Sequence, residues 1–282
     1  EPGELIAIDE QGLRSQRFAA PEPKGCLFEY IYLARPDSTI AGRNVYDARV
    51  EVGRKLAREH PVEADLVIPV PESGTPAAIG YAQASGIPYG SGLIKNAYVG
   101  RTFIQPSQTI RQLGIRLKLN TLRDVLRGKR IVVVDDSIVR GNTQHAIVRM
   151  LREAGAIEVH VRISSPPIKW PCFYGIDFGT RAELIAGNLD IDGIRRSIGA
   201  DTLGYVSIEG LIAASEQPAS RLCRACLDGV YPIELPHESM IGKHVLEGVG
   251  RRLESIEAAG ADRSGDLVHA QTAGGLDTLR RP

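Results

Sequence analysis

The sequence predicts an α/β fold with a mostly parallel central sheet and helices on both of its faces. Residues 131–134 are all β-branched and apolar, which is typical of a strand buried on both sides. A helical pattern follows from about residue 143 to 154, and a second strand pattern covers residues 158–163. A strand, a helix and a strand in that order indicate a right-handed parallel crossover.

Further segments continue this alternation of helices and strands. Apolar residues at helical spacing predict a helix over residues 44–60, and a strand over residues 66–70 precedes a helix over residues 75–84. In residues 158–163 every second residue is apolar, which predicts one apolar and one polar face for that strand. A Thr-x-x-Glu pattern at residues 180–183 predicts a capping box that opens another helix.

The two ends of the chain differ from this central part. Residues 5–8 and 13–18 predict two strands around a turn at residues 9–12. Such a hairpin is marginal alone, so we interpret it as the last piece of a sheet whose other strands are missing. A Pro- and Gly-containing stretch at residues 21–25 predicts a linker. From about residue 240 onward few large apolar residues occur, which predicts a loose or helical tail.

The composition argues against several classes of protein. The 282 residues are 43% hydrophobic and 24% charged, and Lys plus Arg equals Asp plus Glu at 34 each. This balance gives no bulk charge to hold nucleic acid or a membrane surface. No apolar run approaches the roughly 18 residues of a membrane-spanning helix, and the first residues lack the basic start and apolar stretch of a signal peptide. We therefore expect a cytoplasmic enzyme.

Two adjacent carboxylates, Asp135 and Asp136, end the strand at residues 131–134, and a turn of small residues follows them. Open α/β folds bind ligands at this carboxyl edge of the sheet. Carboxylates suit hydroxyl groups or a hard cation, and turn amides suit a phosphate. A lone Asp-Asp pair more often only caps the next helix, but the complete pattern over residues 131–144 favours a binding site.

Residues 131–144 resemble the 5-phosphoribosyl-1-pyrophosphate (PRPP) loop of type I phosphoribosyltransferases, which has four apolar residues, two acids and a small-residue turn. The resemblance implies the type I phosphoribosyltransferase fold. It also implies that Asp135 and Asp136 face the ribose hydroxyls and the Mg²⁺ of the substrate, as catalytic and binding residues. The turn would bind the 5-phosphate through Ser137, Ile138, Val139, Arg140, Gly141, Asn142 and Thr143.

Two further segments carry candidate residues. The turn at residues 68–76 lies where a strand meets a helix, and the resemblance implies that its Ser73 lies beside the Mg²⁺. The stretch from residue 95 to 118 has no clear period, and so long a loop in a compact domain is usually functional or disordered. We expect it to be a flexible closing loop, with Lys95 and Arg101 as catalytic candidates that stabilise the departing pyrophosphate.

The four cysteines are the remaining candidate site. Cys223 and Cys226 form a CxxC pair, whereas Cys26 and Cys172 are isolated and distant in sequence. Disulfides are improbable in a cytoplasmic protein of this size. Four thiolates suit zinc or an iron–sulfur cluster, and spacing alone does not choose between them. Four unrelated buried thiols are the alternative.

The segments that contain these cysteines, together with residues 203–211, resemble the glutamine PRPP amidotransferases that carry a [4Fe-4S] cluster. The similarity runs from about residue 1 to 236. It implies that Cys26, Cys172, Cys223 and Cys226 are cluster ligands with a structural role. It also implies attack of ammonia on C1 of PRPP, the first step of purine synthesis, in a homo-oligomer, either a dimer or a tetramer.

One departure from that family concerns the start of the chain. The family has an N-terminal glutaminase domain whose catalytic cysteine is the first residue, whereas this chain starts with Glu1. We therefore expect three parts: a glutaminase remnant and linker (1–20), the phosphoribosyltransferase domain (21–236) and a tail (237–282). Such a chain would use free ammonia, or ammonia from a missing companion segment. A PRPP-sensing regulator and a salvage phosphoribosyltransferase with a nucleobase acceptor remain the alternatives.

Overall fold

The computed structural model of the protein describes residues 1–97, 118–178 and 180–235. Residues 1–232 form one compact unit. The predicted tail, residues 237–282, lies outside the described residues. Within the described residues, no helix is both long enough and apolar enough to cross a membrane.

The chain begins with the predicted hairpin. Strand β1 (Glu4–Asp9) pairs antiparallel with β2 (Gly12–Arg17), so this prediction is confirmed. The hairpin carries exposed apolar side chains, among them Ile8 and Leu13, at 77% and 68% exposure. Its stability therefore rests mainly on its backbone ladder and a few exposed ion pairs rather than on a core.

A four-stranded parallel sheet forms the centre of the compact unit, as predicted. Across the sheet its strands lie in the order β11 (Thr202–Tyr205), β10 (Glu158–Ile163), β9 (Arg130–Asp135) and β6 (Leu66–Pro69). In the register of the sheet, Val134 lies opposite Pro69, and Ile163 lies opposite Asp135. Tyr205 in turn lies opposite Ile163, so the carboxyl ends of all four strands meet at one edge.

Helices cover both faces of this sheet because alternate residues of β9 enter two separate cores. Val132 and Val134 belong to the core that contains α1, α2 and α7. Ile131 and Val133 belong to the core that contains α3, α4 and α6. The helices are α1 (Val45–Glu59), α2 (Thr75–Ser85), α3 (Arg123–Leu126), α4 (Asn142–Glu153), α5 (Ile185–Asn188), α6 (Ile191–Ile198), α7 (Ile208–Ser215) and α8 (Ala225–Asp228).

Strand β10 differs from the one-sided strand that its alternating pattern predicts. His160 and Arg162, on the face expected to be polar and open, are each only 3% exposed. Arg162 donates hydrogen bonds to the carbonyl oxygens of His60 and Val161 and to the hydroxyl of Thr202. Because β10 is an interior strand with layers on both sides, its polar side chains are buried and find partners within the protein.

The predicted helix at residue 180 is also shorter than its capping box suggests. Thr180 and Glu183 form both hydrogen bonds of the box, but only the 3₁₀ turn Arg181–Glu183 follows. Leu184 adopts an extended conformation (φ −78°, ψ 114°), which ends the turn before α5 begins.

Short elements complete the fold. A π-helical turn, Glu29–Leu33, precedes α1, and a 3₁₀ turn, Ala219–Arg221, precedes β12. Three two-stranded ribbons consist of β3 (Gly25–Cys26) with β12 (Leu222–Cys223), β4 (Thr39–Ile40) with β5 (Arg43–Asn44), and β7 (Leu93–Lys95) with β8 (Leu119–Thr121).

Candidate active site

The turn after β6 and the end of β9 meet at the carboxyl edge of the sheet. The backbone N–H of Val70 donates to the carbonyl oxygen of Val134 at 2.8 Å. A Cβ atom on Gly74 would lie 2.4 Å from that oxygen, so a side chain there would force the turn away. This close approach brings Ser73 near Asp136, and its hydroxyl lowers the pKa of that carboxyl group. We call Ser73, Asp135 and Asp136 the acidic edge.

Both carboxylates of the acidic edge are buried, since Asp135 is 7% and Asp136 is 8% exposed. Burial raises the pKa of both groups because a charged carboxylate loses its hydration there. The charge of Asp136 raises the pKa of Asp135 further, whereas the hydroxyls of Ser137 and Ser73 oppose the rise at Asp136. A cation bound between the two groups would offset both effects, so the acidic edge favours cation binding.

The phosphate loop, residues 137–143, connects the acidic edge to α4. Gly141 has a φ of +81°, a backbone conformation that favours glycine. A Cβ atom there would also lie 2.8 Å from Cδ1 of Ile185. The N–H groups in the first turn of a helix lack partners within the helix, and the helix dipole adds positive charge there. The start of α4 therefore suits a phosphate group.

A second segment holds the phosphate loop from outside. The backbone N–H of Ile185 donates to the carbonyl oxygen of Val139 at 2.9 Å. Nη2 of Arg140 lies 3.1 Å from Oε1 of Glu183. Glu183 also accepts a hydrogen bond from the N–H of Thr180 at 2.9 Å, so its position is fixed by its own capping box. The phosphate loop is thus held by the segment that contains Glu183 and Ile185, a contact that the sequence pattern did not indicate.

Lys95 lies near the turn that carries Ser73. Its Nζ atom is 3.3 Å from Oε2 of Glu72, the residue before Ser73. Glu72 is largely exposed, so this ion pair contributes little to stability. The other loop candidate, Arg101, lies outside the described residues.

The four cysteines come from three segments that the backbone draws together. Cys26 lies opposite Cys223 in the parallel pairing of β3 with β12. Cys226 follows in α8, and its carbonyl oxygen accepts hydrogen bonds from the N–H groups of Lys169 and Trp170, close to Cys172 in the chain. These contacts gather residues from both ends of the compact unit. We call the four residues Cys26, Cys172, Cys223 and Cys226 the cysteine site.

The thiols of the cysteine site interact electrostatically. Burial raises the pKa of Cys226, and negative charge on Cys26, Cys172 and Cys223 raises it further. None of the four cysteines is in a disulfide. Nevertheless, no group of three or more His, Cys, Asp or Glu side chains in the described ranges is gathered tightly enough to hold a metal ion. The electrostatic effects on Cys226 still place the four thiols near one another.

Comparisons with known proteins agree with this geometry. The family described as phosphoribosyl transferase domain matches residues 43–164, which include α1, the central strands β6, β9 and β10, and the acidic edge. Residues 43–164 are therefore similar to this domain family. The match covers the acidic edge and the phosphate loop but not the cysteine site.

Longer similarities reach beyond this phosphoribosyltransferase domain. The chain is 74% identical over 252 residues to amidophosphoribosyltransferase of Mycobacterium tuberculosis, covering 88% of this chain and 48% of the relative. It is 54% identical over 254 residues to the Bacillus subtilis amidophosphoribosyltransferase, of which it covers 53%. The chain therefore spans about half the length of the curated relatives it matches.

A solved structure gives the same result. Glutamine PRPP amidotransferase from B. subtilis, complexed with ADP and GMP, is 55% identical and has a TM-score of 0.72. The match covers 84% of this chain and 53% of that one. The predicted type I phosphoribosyltransferase fold is thereby confirmed, as is the resemblance to PRPP amidotransferases.

The donor atoms of the acidic edge fit Mg²⁺. Mg²⁺ prefers oxygen ligands and commonly binds through one or two carboxylates together with substrate phosphates. Asp135, Asp136 and Ser73 provide two carboxylates and a hydroxyl at one edge of the sheet. Such a site needs no cage of three acidic side chains, so it agrees with the lack of one among the described residues.

Arg49 is a residue at this site that the sequence analysis missed. Its guanidinium is buried in α1 and donates to the carbonyl oxygens of Tyr30, Glu29 and Ala34 at 3.0, 3.2 and 2.8 Å. Its positive charge also lowers the pKa of Asp136, against the rise that burial causes. Position 49 lies on the buried stripe of α1, so an arginine in that stripe was the available signal.

Proposed function

We propose that this chain binds PRPP and transfers its phosphoribosyl group to ammonia, giving 5-phosphoribosylamine and pyrophosphate. In its relatives' pathway this would be the first step of de novo purine biosynthesis. The main observation in favour is the acidic edge joined directly to the phosphate loop at one end of a parallel sheet. The names of the relatives favour ammonia, delivered from glutamine, as the acceptor.

The proposed roles follow from the chemistry of each group. Asp135 and Asp136 would accept hydrogen bonds from the ribose hydroxyls and, with Ser73, hold Mg²⁺. The amides and hydroxyls of the phosphate loop would bind the 5-phosphate. Bound Mg²⁺ would supply positive charge against the pyrophosphate oxygens. Lys95 and Arg101 would add to that charge as the leaving group forms.

The transfer itself needs positioning more than proton chemistry. The nitrogen lone pair of ammonia forms a bond to C1 as the C1–O bond to pyrophosphate breaks, with inversion at C1. Neutral ammonia needs no base before it attacks, so alignment of the two reactants supplies much of the acceleration. Water must be kept from C1 while that bond is broken, which is the proposed purpose of a closing loop that starts near Lys95.

We also propose that the cysteine site holds a [4Fe-4S] cluster with a structural role. Iron–sulfur clusters are held by four cysteine thiolates, and the thiols here lie close enough to one another to interact electrostatically. The cluster would tie β3 to β12 and α8, so its contribution would be mainly to folding.

Pyrophosphate release is the direct test of the proposed activity. The whole chain is mixed with PRPP, MgCl₂ and ammonium chloride, and pyrophosphate is measured with and without each component. Release that needs both PRPP and ammonium chloride supports the proposal. Release that needs a nucleobase and ignores ammonia would replace it with a salvage activity. PRPP binding without any turnover would indicate a sensor.

The cluster has a separate test. Iron and sulfide are measured in protein prepared without oxygen, together with the visible absorption spectrum. About four irons and four sulfides per chain are expected for a [4Fe-4S] cluster. Zinc in place of iron would contradict the cluster and leave the PRPP proposal intact.

A further inference from the structure

Gln144 occupies a position in α4 where an apolar residue is expected. It is 2% exposed, and the other buried members of its stripe are Ile147, Val148 and Leu151. This spacing is the core-facing side of an amphipathic helix. A buried amide at such a position is unfavourable unless its polar atoms have partners.

The amide of Gln144 has a partner at only one end. Its Nε2 atom donates a hydrogen bond to Oδ2 of Asp135. Its Oε1 atom is buried and has no hydrogen-bond partner among the described residues. An unpaired buried oxygen destabilises the fold, so packing and folding alone do not account for a glutamine here.

The two hydrogen bonds on Asp135 fix its carboxylate completely. Oδ1 accepts from the backbone N–H of Asp136 at 2.9 Å, and Oδ2 accepts from Gln144. Asp136, in contrast, is held by the hydroxyl groups of Ser137 and Ser73. A hydroxyl can rotate, whereas an amide held in a packed helix cannot swing away. The orientation of the Asp135 carboxylate therefore depends on Gln144.

We propose that Gln144 is a positioning residue of the PRPP site: it fixes the plane of the Asp135 carboxylate so that its remaining lone pairs point to the ribose hydroxyls. This inference rests on the proposed function, because it assumes that Asp135 accepts those hydroxyls. It extends the site by one residue beyond the phosphate loop, from the loop into the core-facing side of α4.

The test compares binding of two ligands to the parent chain and to Gln144→Met. Methionine has a similar size and suits the apolar stripe. It removes the unpaired Oε1 but leaves Oδ2 of Asp135 without its donor, so the two effects on stability oppose each other and the variant should stay folded, which thermal melting checks first. Calorimetry with Mg²⁺ present then measures the affinity for ribose 5-phosphate and for its 2,3-dideoxy analogue. Gln144→Met should weaken ribose 5-phosphate about tenfold, as expected for loss of a hydrogen bond to a charged group.

The dideoxy analogue distinguishes positioning from a general structural effect. It lacks the hydroxyls that Asp135 would accept, so Gln144→Met should leave its affinity unchanged. Equal weakening of both ligands, or of neither, would overturn the inference. Gln144→Asn provides a second variant, since its amide is too short to reach Asp135 and should reproduce the selective loss.

Two controls separate this inference from the proposed function. Arg149→Gln, on the exposed side of the same helix, should bind both ligands as the parent does. A parent chain that binds neither PRPP nor ribose 5-phosphate contradicts the proposed function itself. A parent that binds PRPP normally, with Gln144→Met equal to it on all ligands, contradicts only the role of Gln144.

Discussion

The acidic edge and the cysteine site are assembled in opposite ways. The acidic edge stands on the central sheet, where β6 and β9 are buried on both faces and pair in register. The cysteine site stands on β3 and β12, which are two residues each. The sheet holds the carboxylates in place without help from a ligand, whereas two-residue strands cannot hold four thiols alone. This difference predicts that mutations in the acidic edge lower turnover, whereas mutations in the cysteine site lower the stability of the fold.

The strongest test of this contrast is Asp136→Asn. Burial raises the pKa of Asp136, so its ionised form destabilises the fold once the pH exceeds the carboxyl's unfolded pKa. The neutral amide removes that cost, and the melting temperature without Mg²⁺ should stay the same or rise. Turnover of PRPP with ammonia should fall by about 100-fold or more, because a proposed ligand for Mg²⁺ is lost.

The control for Asp136→Asn is Asp65→Asn at the opposite end of the sheet, where Asp65 pairs with Arg130. It should retain the turnover of the parent. A folded Asp136→Asn protein with turnover within twofold of the parent would remove Asp136 from the proposed site.

The second test is Cys226→Ser, which should show the reverse behaviour. Loss of a proposed cluster ligand should lower the melting temperature by about 10 °C or more, since metal binding and folding are coupled in such sites. The fraction that stays folded should bind PRPP as the parent does, because the acidic edge is unchanged. Differential scanning fluorimetry, iron analysis and PRPP titration measure these effects. An unchanged melting temperature and iron content would contradict the proposal that the cysteine site stabilises the fold by binding a cluster.

A smaller effect is expected for Glu183→Gln, which removes the ion pair to Arg140 but keeps an oxygen for the capping box. Partly exposed ion pairs contribute about 0.2–1 kcal/mol, so the KM for PRPP should rise roughly two- to fivefold with little change in kcat. Glu153→Gln removes the comparable exposed pair to Arg149, far along α4, and serves as the control. Equal KM values for the two variants would show that the outer segment does not position the phosphate loop.

The smallest effect concerns acid stability. Arg130 lowers the pKa of Asp65 to about 2, because their hydrogen bonds form only while the carboxylate is ionised. The pair therefore stabilises the fold above the unfolded carboxyl pKa of about 3.9 and is lost as the pH falls towards 2. Asp65→Asn should lower the melting temperature by a degree or two at pH 7. Between pH 4 and 2 the melting temperature of this variant should fall less than that of the parent. An unchanged acid profile would contradict this assignment.

The parts of the fold that could be predicted are those with a local pattern. The apolar run of β9, the helix after it and the two aspartates are contiguous, so one segment identifies the sheet edge and its chemistry. The strand, the helix and the next strand also predict the parallel sheet, because such a crossover is almost always right-handed. The roles of the individual site residues remain proposals.

The parts that could not be predicted depend on which side chains the folded backbone brings into contact. Arg49 is placed by the carbonyl oxygens of the turn Glu29–Leu33 and of Ala34, and Gln144 by the carboxylate of Asp135. The polar residues of β10 were expected on an open face because alternation does not reveal what packs on the other side of a sheet. Polar residues in otherwise apolar stripes are the signal that a closer reading of the sequence could have used.

The pairing of β3 with β12 has a consequence for how the polypeptide is made. The first strand of the pair emerges from the ribosome long before the second exists, so Cys26 must wait for almost the whole domain to be translated. Leu27 and Leu222, which lie in or next to this ribbon, belong to the same core as α1 and α2. That core is therefore completed only after residue 222 has been translated.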